Sequence, residues 1–296
     1  MVAVDTTKDL GEFLVSRRAK IGPEQAGLTL YGGTRRVPGL RRQEVAMLAG
    51  LSVEYLTRLE RGNAQGVSDS VLDALARALQ LDEAESSHLF DLARAARGSR
   101  REARRQPQSR VRASVRRILD SMTTTPAFVR NGRLDILASN ALGRALYAPV
   151  FDDTGRPANL ARFCFLDPRA FELYPSWDDA ADTSVALLRT EAGRDPYNKD
   201  LTNLVGELAT RSDAFRTRWA RHDVRLHRTG LKHFRHPVVG ELALAFDAME
   251  LPADPGLTLT AYSAEPGTPA EEKLRLLASW AATVEQKEPT PVADQA

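Results

Sequence analysis

The chain has 296 residues, of which 41 are lysine or arginine and 39 are aspartate or glutamate, so its formal net charge is +2. Hydrophobic residues make up 43% of the sequence and charged residues 27%. This composition is typical of soluble globular proteins and excludes fibrous and wholly disordered classes. The length suggests two domains, each large enough to bury its own core.

Cysteine content and the first residues bear on the compartment. The single cysteine, Cys164, excludes an intrachain disulfide and is consistent with a reducing environment. The first residues, MVAVDTTKDLG, lack the basic and apolar regions of a secretory signal. Since no run of about 18 apolar residues is present either, we expect a cytoplasmic protein without a membrane partner.

The net charge hides an asymmetry between the two parts of the chain. Residues 1–117 contain 21 Lys+Arg and 14 Asp+Glu, an excess of +7, which leaves 20 and 25, an excess of −5, for the remainder. A basic first part and an acidic second part predict a nucleic-acid surface in the first part only. Most of the aromatic residues follow residue 117, so we expect the larger apolar cavity in the second part.

The stretch from Leu40 to Gly62 predicts two short helices joined by a tight turn. Val45, Leu48 and Ala49 have helical spacing and should form the buried stripe of the first helix. Gly50 is suited to end that helix because it lacks a Cβ and tolerates positive φ. The second helix should begin after Ser52 as N-cap, with Leu56 and Leu59 facing inward.

The remaining side chains of this stretch should lie on a free polar and basic face. A short exposed helix held by a partner helix suits insertion into the DNA major groove, although an ordinary helical hairpin with a solvated face would show the same pattern. The predicted DNA contacts are the cap and base-facing residues Ser52, Val53, Glu54, Thr57 and Arg58, and the phosphate-binding residues Arg41, Arg42 and Arg61.

The stretch LRRQEVAMLAGLSVEYLTRLERG resembles the helix-turn-helix of the phage-repressor-like (XRE) regulators. The matching residues are Leu40, Glu44, Val45, Ala46, Ala49, Gly50, Leu51, Ser52, Leu56, Arg58, Leu59, Glu60, Arg61 and Gly62. The resemblance covers about residues 8–96 and implies a five-helix domain that binds double-stranded DNA. At Arg42 the family pattern usually has glutamine, so the usual amide geometry is not carried over.

Two basic segments near this domain have open roles. The connection Lys20–Gly39 is longer than in the usual repressor-like domain, and its stretch 31–38 is either a solvated loop or an arm that contacts DNA. The segment Arg97–Arg117 contains nine arginines and one glutamate, which indicates a linker that is either solvated or in contact with the DNA backbone.

The second part predicts strands, then helices, then strands. Asn131-Gly132 and Gly240-Glu241 have the composition of two-residue hairpin turns, and Leu257, Leu259 and Ala261 alternate with polar residues. Helices are predicted over 140–147, 177–192, 200–210 and 213–221. This order indicates a PAS-like antiparallel sheet with helices against one face, so the fold class is mainly α followed by α+β.

Three stretches of the second part are distinctive: residues 128–138, FRTRWARHDVRLHRTGLKHFRHPVVGEL (215–242) and PADPGLTLTAYSAEPGTPAEEKLRLLASW (252–280). In these stretches the chain resembles the ligand-binding domain of the MmyB-like transcription regulators. The resemblance covers about residues 116–282 and implies a PAS-like pocket for a small, fatty-acid-like ligand. The predicted domains are 1–96 (DNA-binding), 97–115 (linker), 116–284 (PAS-like) and 285–296 (disordered tail).

Candidate ligand-binding residues combine aromatic and basic side chains, which suit an apolar tail and a carboxylate head group. They are Arg162, Phe163, Tyr174, Arg218, Trp219, His222 and His227. Trp219 could equally belong to the core, and His222 beside Asp223 could be a structural pair. The clustered histidines lack the spacing of a metal motif, so we predict neither a metal nor a cofactor.

The predicted function is therefore a ligand-responsive transcription regulator that binds DNA as a homodimer. A second possibility keeps DNA binding but makes the second domain a ligand-free dimerisation or protein-docking module. An enzyme is not expected, because no GxSxG, GxGxxG, GxxxxGK[ST] or HExxH motif is present.

Overall fold

The computed structural model describes residues 6–28, 39–97, 110–153, 155–225 and 227–287. The chain forms two compact units, of which the first combines Met1–Gln106 with Val185–Leu226 and the second combines Pro107–Ser184 with His227–Ala296. None of the helices in the described ranges is both long and apolar enough to cross a bilayer.

The helices of the described residues follow in chain order. They are α1 Thr6–Lys20, α2 Arg42–Ala49, α3 Val53–Glu60, α4 Asp69–Ala78, α5 Glu83–Ala96, α6 Ala113–Ser121, α7 Ala141–Leu146, α8 Ala148–Phe151, α9 Leu160–Leu166, α10 Ala170–Leu173, α11 Trp177–Arg194, α12 Lys199–Arg211, α13 Asp213–Trp219 and α14 Pro269–Lys287. The strands are β1 Ala127–Asn131, β2 Ile136–Ser139, β3 Thr229–His236, β4 Gly240–Glu250 and β5 Leu257–Ser263.

Helices α1–α5 form the predicted repressor-like bundle. Leu10, Phe13 and Leu14 of α1 are buried, as their helical spacing predicts. The start of α5 is a capping box, in which Asp82 Oδ1 accepts from the Glu85 N–H at 2.8 Å and Glu85 Oε2 accepts from the Asp82 N–H at 3.2 Å. Local capping signals and the apolar stripes therefore agree on the same five helices.

The buried stripe of α2 differs from the prediction. Val45 and Ala49 are buried, but the third inward residue is Ala46. Leu48 is 37% exposed and Met47 is 63% exposed, so the prediction that Leu48 faces the core is wrong. The buried residues of this two-turn helix are at positions i, i+1 and i+4. These three positions share one face of a helix, and so do positions i, i+3 and i+4.

The second unit contains a five-stranded antiparallel sheet with strand order β2-β1-β5-β4-β3, which is the predicted PAS-like arrangement. The first and the last strand in the sequence, β1 and β5, are therefore neighbours in the sheet, and Val129 pairs with Leu259. The β3–β4 hairpin pairs Lys232 with Leu244 and Phe234 with Leu242. Strands β2 and β3 are the edges of the sheet.

Both predicted two-residue turns are longer in the structure. Strand β1 ends at Asn131 and β2 begins at Ile136, and Leu134 between them has a φ of 67°. The β3–β4 connection is residues 237–239, and Gly240, with φ of 73°, pairs with His236 as the first residue of β4. Gly240 has the positive φ that the composition predicted, whereas in the first connection the positive φ is at Leu134 and not at Asn131 or Gly132.

The sheet has buried clusters on both faces. Alternating β4 residues Leu242, Leu244 and Phe246 belong to the larger cluster, together with residues of α7, α9, α10 and α14. Val129, Leu257 and Leu259 point to the other face and pack with α6 residues. The expectation that helices cover only one face therefore requires correction, since α6 packs over the β1–β2–β5 part of the second face.

The unit boundaries differ from the predicted domains because 185–226 packs with the first unit although it lies within the predicted domain 116–284. Most of the arginine-rich linker and the stretch 31–38 lie outside the described residues. Helix α14 continues to Lys287, so the first three residues of the predicted tail are helical, and 288–296 lie outside the described residues.

Candidate DNA-binding and ligand-binding sites

The helix-turn-helix geometry is set by two caps. Gly50 ends α2 in the left-handed conformation, with φ 66° and ψ 33°. Ser52 Oγ then accepts a hydrogen bond from the Tyr55 N–H at 3.0 Å and starts α3. Leu56 and Leu59 are each 1% exposed, so one face of α3 is fixed against the core.

The outer face of α3 carries the predicted base-contacting residues. Glu54 and Ser52 are exposed, and Val53, Thr57 and Arg58 are half-buried. The Thr57 hydroxyl donates to the Val53 carbonyl at 2.7 Å, and the Arg58 guanidinium lies 4.6 Å from the Tyr55 ring centroid. These contacts hold both side chains at defined positions on the face that remains accessible.

Glu60, at the last turn of α3, was not singled out as functional from the sequence. Its side chain is 2% exposed and forms ion pairs with Arg18 of α1, at 2.8 Å, and with Arg42 of α2. The carboxylate therefore ties α3 to two other helices. Arg42 thus has a positioning contact in addition to its predicted phosphate contact, while Arg41 and Arg61 are exposed.

A second ionic network joins α1 and α5 to the segment 185–225. Arg17 is 5% exposed and forms ion pairs with Glu85 and with Asp223, the latter at 3.1 Å, and donates to the His222 carbonyl. Arg189 of α11 pairs with Asp9 at 3.3 Å. Both cations are thus compensated by carboxylates, as buried charges require.

Three of the predicted ligand residues belong to this network or to its surroundings. The Trp219 ring lies 4.0 Å from the Arg189 guanidinium and stacks on Phe215, and Arg218 Nη1 donates to the Ala214 carbonyl at 3.4 Å. His222 Nε2 lies 3.1 Å from Glu12 Oε2. Arg218, Trp219 and His222 therefore lie in the first unit, among residues that hold α1 and α11.

The His222 environment keeps its imidazole neutral. Burial, reinforced by the positive charge of Arg189, lowers the pKa of His222 to about 4. Ligand-capable atoms of Asp9, Glu12 and His222 lie within 4.8 Å of one another. Asp9 forms an ion pair with Arg189, and Glu12 lies within hydrogen-bonding distance of the neutral His222, so each carboxylate of the group already has a partner.

The other four predicted ligand residues lie in the second unit. Phe163 and Tyr174 are buried and meet edge to face with centroids 6.0 Å apart. Arg162 is half-buried on α9, and its N–H donates to Asn159 Oδ1 at 2.8 Å. His227 stacks on Phe246 at 4.2 Å. Phe163 and Tyr174 therefore belong to one buried core. The seven predicted ligand residues are divided between the units, with three in the first and four in the second.

The core around Tyr174 also contains polar groups that the sequence reasoning missed. Lys232 Nζ donates to Tyr147 Oη at 3.2 Å, and Tyr147 Oη lies 2.5 Å from Tyr262 Oη. Strand alternation contains the relevant signal, because Lys232 has the same parity as the buried Phe234 and therefore faces the core.

A helix-turn-helix with an accessible α3 is typical of DNA-binding transcription regulators, and the five-stranded sheet belongs to a second compact unit. Comparison with family models agrees with this class. Residues 9–89 match the model of a helix-turn-helix domain, and residues 111–277 match the MmyB-like transcription regulator ligand binding domain.

Because the second match covers more than half of the chain, the protein belongs to the MmyB-like transcription regulators. A search of curated proteins finds no match to this chain. The family assignment confirms the resemblance inferred from the sequence in both parts.

Proposed function

We propose that this regulator contacts base edges with Val53, Glu54, Thr57 and Arg58 and binds phosphates with Arg41, Arg42 and Arg61. The observation that carries the proposal is the position of α3. Its inner face is buried and its end is held by Glu60, so its outer face keeps a fixed orientation. A homodimer would present two such helices about one DNA turn apart to a palindromic operator.

The test compares two substitutions on duplexes selected by the wild-type protein from a random library. Arg61→Ala should weaken binding of all sequences alike and reduce the salt dependence, because an exposed arginine contributes a phosphate contact. Thr57→Ala should change the preferred base at one position. Fluorescence anisotropy at fixed salt measures both effects.

The matched control is Arg211→Ala, which removes an exposed arginine from α12, outside the helix-turn-helix match. It should leave affinity and preference unchanged. If Arg61→Ala and Thr57→Ala behave like this control, the assignment of the α3 face is wrong.

We further propose that the second unit binds a small, fatty-acid-like ligand and that binding changes the affinity for DNA. The support is that 185–225 belongs to the ligand-binding family match, yet its Arg189, His222 and Asp223 contact α1 of the DNA-binding bundle. A ligand acts on DNA binding only through its different affinity for two arrangements of the protein. The chain would act by binding and not by catalysis.

Native mass spectrometry of protein purified from its host tests the ligand. A retained small molecule, together with a mass of two chains, supports a ligand-binding homodimer. Ligand-free dimers whose DNA affinity does not respond to added lipid extract would instead support a dimerisation or docking module.

A further inference from the structure

A short stretch that follows α13 is fixed against the end of α1 within the first unit. The Asp223 carboxylate forms ion pairs with Arg17, at 3.1 Å, and with Lys20, and the His222 carbonyl accepts from Arg17. Val224 is buried in the apolar core of the helix bundle. His222 has a φ of 54°, a left-handed conformation that costs energy in a residue other than glycine and persists where surrounding contacts hold it. The stretch 222–224 therefore has a defined position on α1.

Two arginines flank this fixed stretch. Arg221 and Arg225 are both exposed, and in the described ranges no carboxylate forms an ion pair with either of them. Asp223, the acidic residue between them, is already paired with two cations of α1. By contrast, the exposed Arg211 and Arg216 pair with acidic residues of their own helices, at 3.2 and 2.8 Å. Arg221 and Arg225 thus present positive charge to solvent from a fixed backbone.

The same turn of α1 also holds the start of α2. The Arg18 carbonyl accepts from the Leu40 N–H at 3.0 Å, and Arg18 Nη1 donates to the Leu40 carbonyl at 2.8 Å. Arg18 and Arg42 share the Glu60 carboxylate. Arg18 therefore faces the start of α2, where Arg41 and Arg42 are the proposed phosphate contacts, while its neighbours on the same turn face the fixed stretch.

The separation of these two groups of arginines fits one strand of DNA. A helix with its side chains is about 10–12 Å wide. The phosphates of one strand of B-DNA follow one another at about 3.4 Å along the helix axis. Arginines on two sides of the last turn of α1 can therefore reach the same strand within about three or four phosphates.

The net charge of the first unit favours a polyanion. Its part Met1–Gln106 contains 17 Lys+Arg and 14 Asp+Glu, an excess of +3, and its part Val185–Leu226 contains eight and six, an excess of +2. The second unit contains the remaining 16 and 19, an excess of −3. The segment 185–226 thus adds positive charge to the unit that carries the helix-turn-helix.

Resting on the DNA-binding function proposed above, we propose that Arg221 and Arg225 bind phosphates of the strand that Arg41 and Arg42 contact. Both arginines lie within the ligand-binding family match and outside the helix-turn-helix match. A part of the ligand-binding match then belongs to the DNA interface itself. Phosphate contacts of this kind add affinity and fix the position of the protein on the duplex, but they carry no base preference.

The experiment measures the salt dependence of DNA binding by the full chain. Fluorescence anisotropy gives the affinities between 50 and 200 mM KCl for a duplex selected by the wild-type protein and for an unrelated duplex of the same length. In Arg221→Gln/Arg225→Gln, the slope of log affinity against log salt should be smaller by about 1.8 on both duplexes, since each phosphate contact contributes about 0.9. Over this range the wild-type affinity should therefore fall about twelvefold more than that of the variant.

Arg211→Gln/Arg216→Gln is the matched control. It removes two exposed charges from the same segment, but these side chains already pair with carboxylates, so the wild-type slope should be kept. Arg221→Lys/Arg225→Lys retains both charges and should also keep the slope. Because all four replaced side chains are exposed, thermal unfolding followed by circular dichroism should give the wild-type midpoint for each variant.

A wild-type slope in Arg221→Gln/Arg225→Gln, or equal reductions in this variant and in the control, would overturn the inference. If Arg61→Ala still lowers the slope in that case, the proposed phosphate contacts of the helix-turn-helix stand. If the wild-type protein prefers no duplex and Arg61→Ala has no effect, the proposed DNA-binding function fails as well.

Discussion

Both units hold cationic side chains against aromatic rings, but the partners of these cations differ. In the first unit, Arg17 lies 5.0 Å from the Phe13 ring centroid and pairs with Glu85 and Asp223, and Arg189 lies over Trp219 and pairs with Asp9. In the second unit, Lys232 has three aromatic neighbours and, among the described residues, no carboxylate.

The difference separates cations that are compensated by carboxylates from a cation that has no carboxylate partner among the described residues. A buried cation with two carboxylates is already neutralised, so its removal leaves the carboxylates uncompensated. A cation without a counter-charge is destabilising by itself, and its removal costs little.

The largest expected effect is that of Arg17→Met. The substitution leaves Glu85 without its buried cation, while the half-exposed Asp223 keeps its ion pair with Lys20, and it should lower the free energy of unfolding by about 3 kcal/mol. Urea denaturation followed by circular dichroism measures the loss. Arg211→Met, which breaks an exposed pair with Glu207, should change the free energy by less than about 0.5 kcal/mol. Equal losses of stability in the two variants would show that the buried ion pairs of Arg17 stabilise the protein no more than the exposed pair of Arg211 does.

Acidification should destabilise the first unit through two buried histidines. Burial lowers the pKa of His88 to about 3 and that of His222 to about 4, below the value of 6.5 in the unfolded chain. The unfolded state therefore binds more protons below pH 6.5, and stability falls as the pH falls. Each histidine should cost about 2 kcal/mol between pH 7 and pH 5.

Denaturation at the two pH values for wild-type protein, His88→Gln and His222→Gln measures these contributions. Each variant should lose less stability on acidification than the wild-type protein. His233→Gln, at an exposed position of β3, is the control and should follow the wild-type protein. If the wild-type protein loses stability on acidification and neither His88→Gln nor His222→Gln reduces that loss, other groups cause the acid sensitivity.

The smallest expected effect is that of Lys232→Met on the ligand-free protein. Because no carboxylate of the described ranges would lose a partner, the free energy of unfolding should stay within about 1 kcal/mol of the wild-type value or increase. Thermal unfolding followed by circular dichroism tests this. A loss as large as that of Arg17→Met would identify Lys232 as a structural residue and weaken the contrast between the units.

Much of the fold was predictable because its signals are local. Helical spacing placed Leu10, Phe13 and Leu14 in the core, and Ser52 and Asp82 marked helix starts that the structure confirms. Period-two alternation likewise placed Leu242, Leu244 and Phe246 inside. The prediction that Leu48 is buried was wrong because a two-turn helix has more than one possible apolar stripe. The packing of α2 against the other helices determines which stripe is buried.

By itself, the sequence determined the two families, the order of helices and strands, and the outer face of α3, since capping and periodicity act over a few neighbouring residues. Only the tertiary structure decided that 185–225 packs with the DNA-binding bundle, that Glu60 joins Arg18 and Arg42, and that Tyr147, Lys232 and Tyr262 meet. These contacts join residues far apart in the chain, and the burial that governs their charges is a property of the folded core.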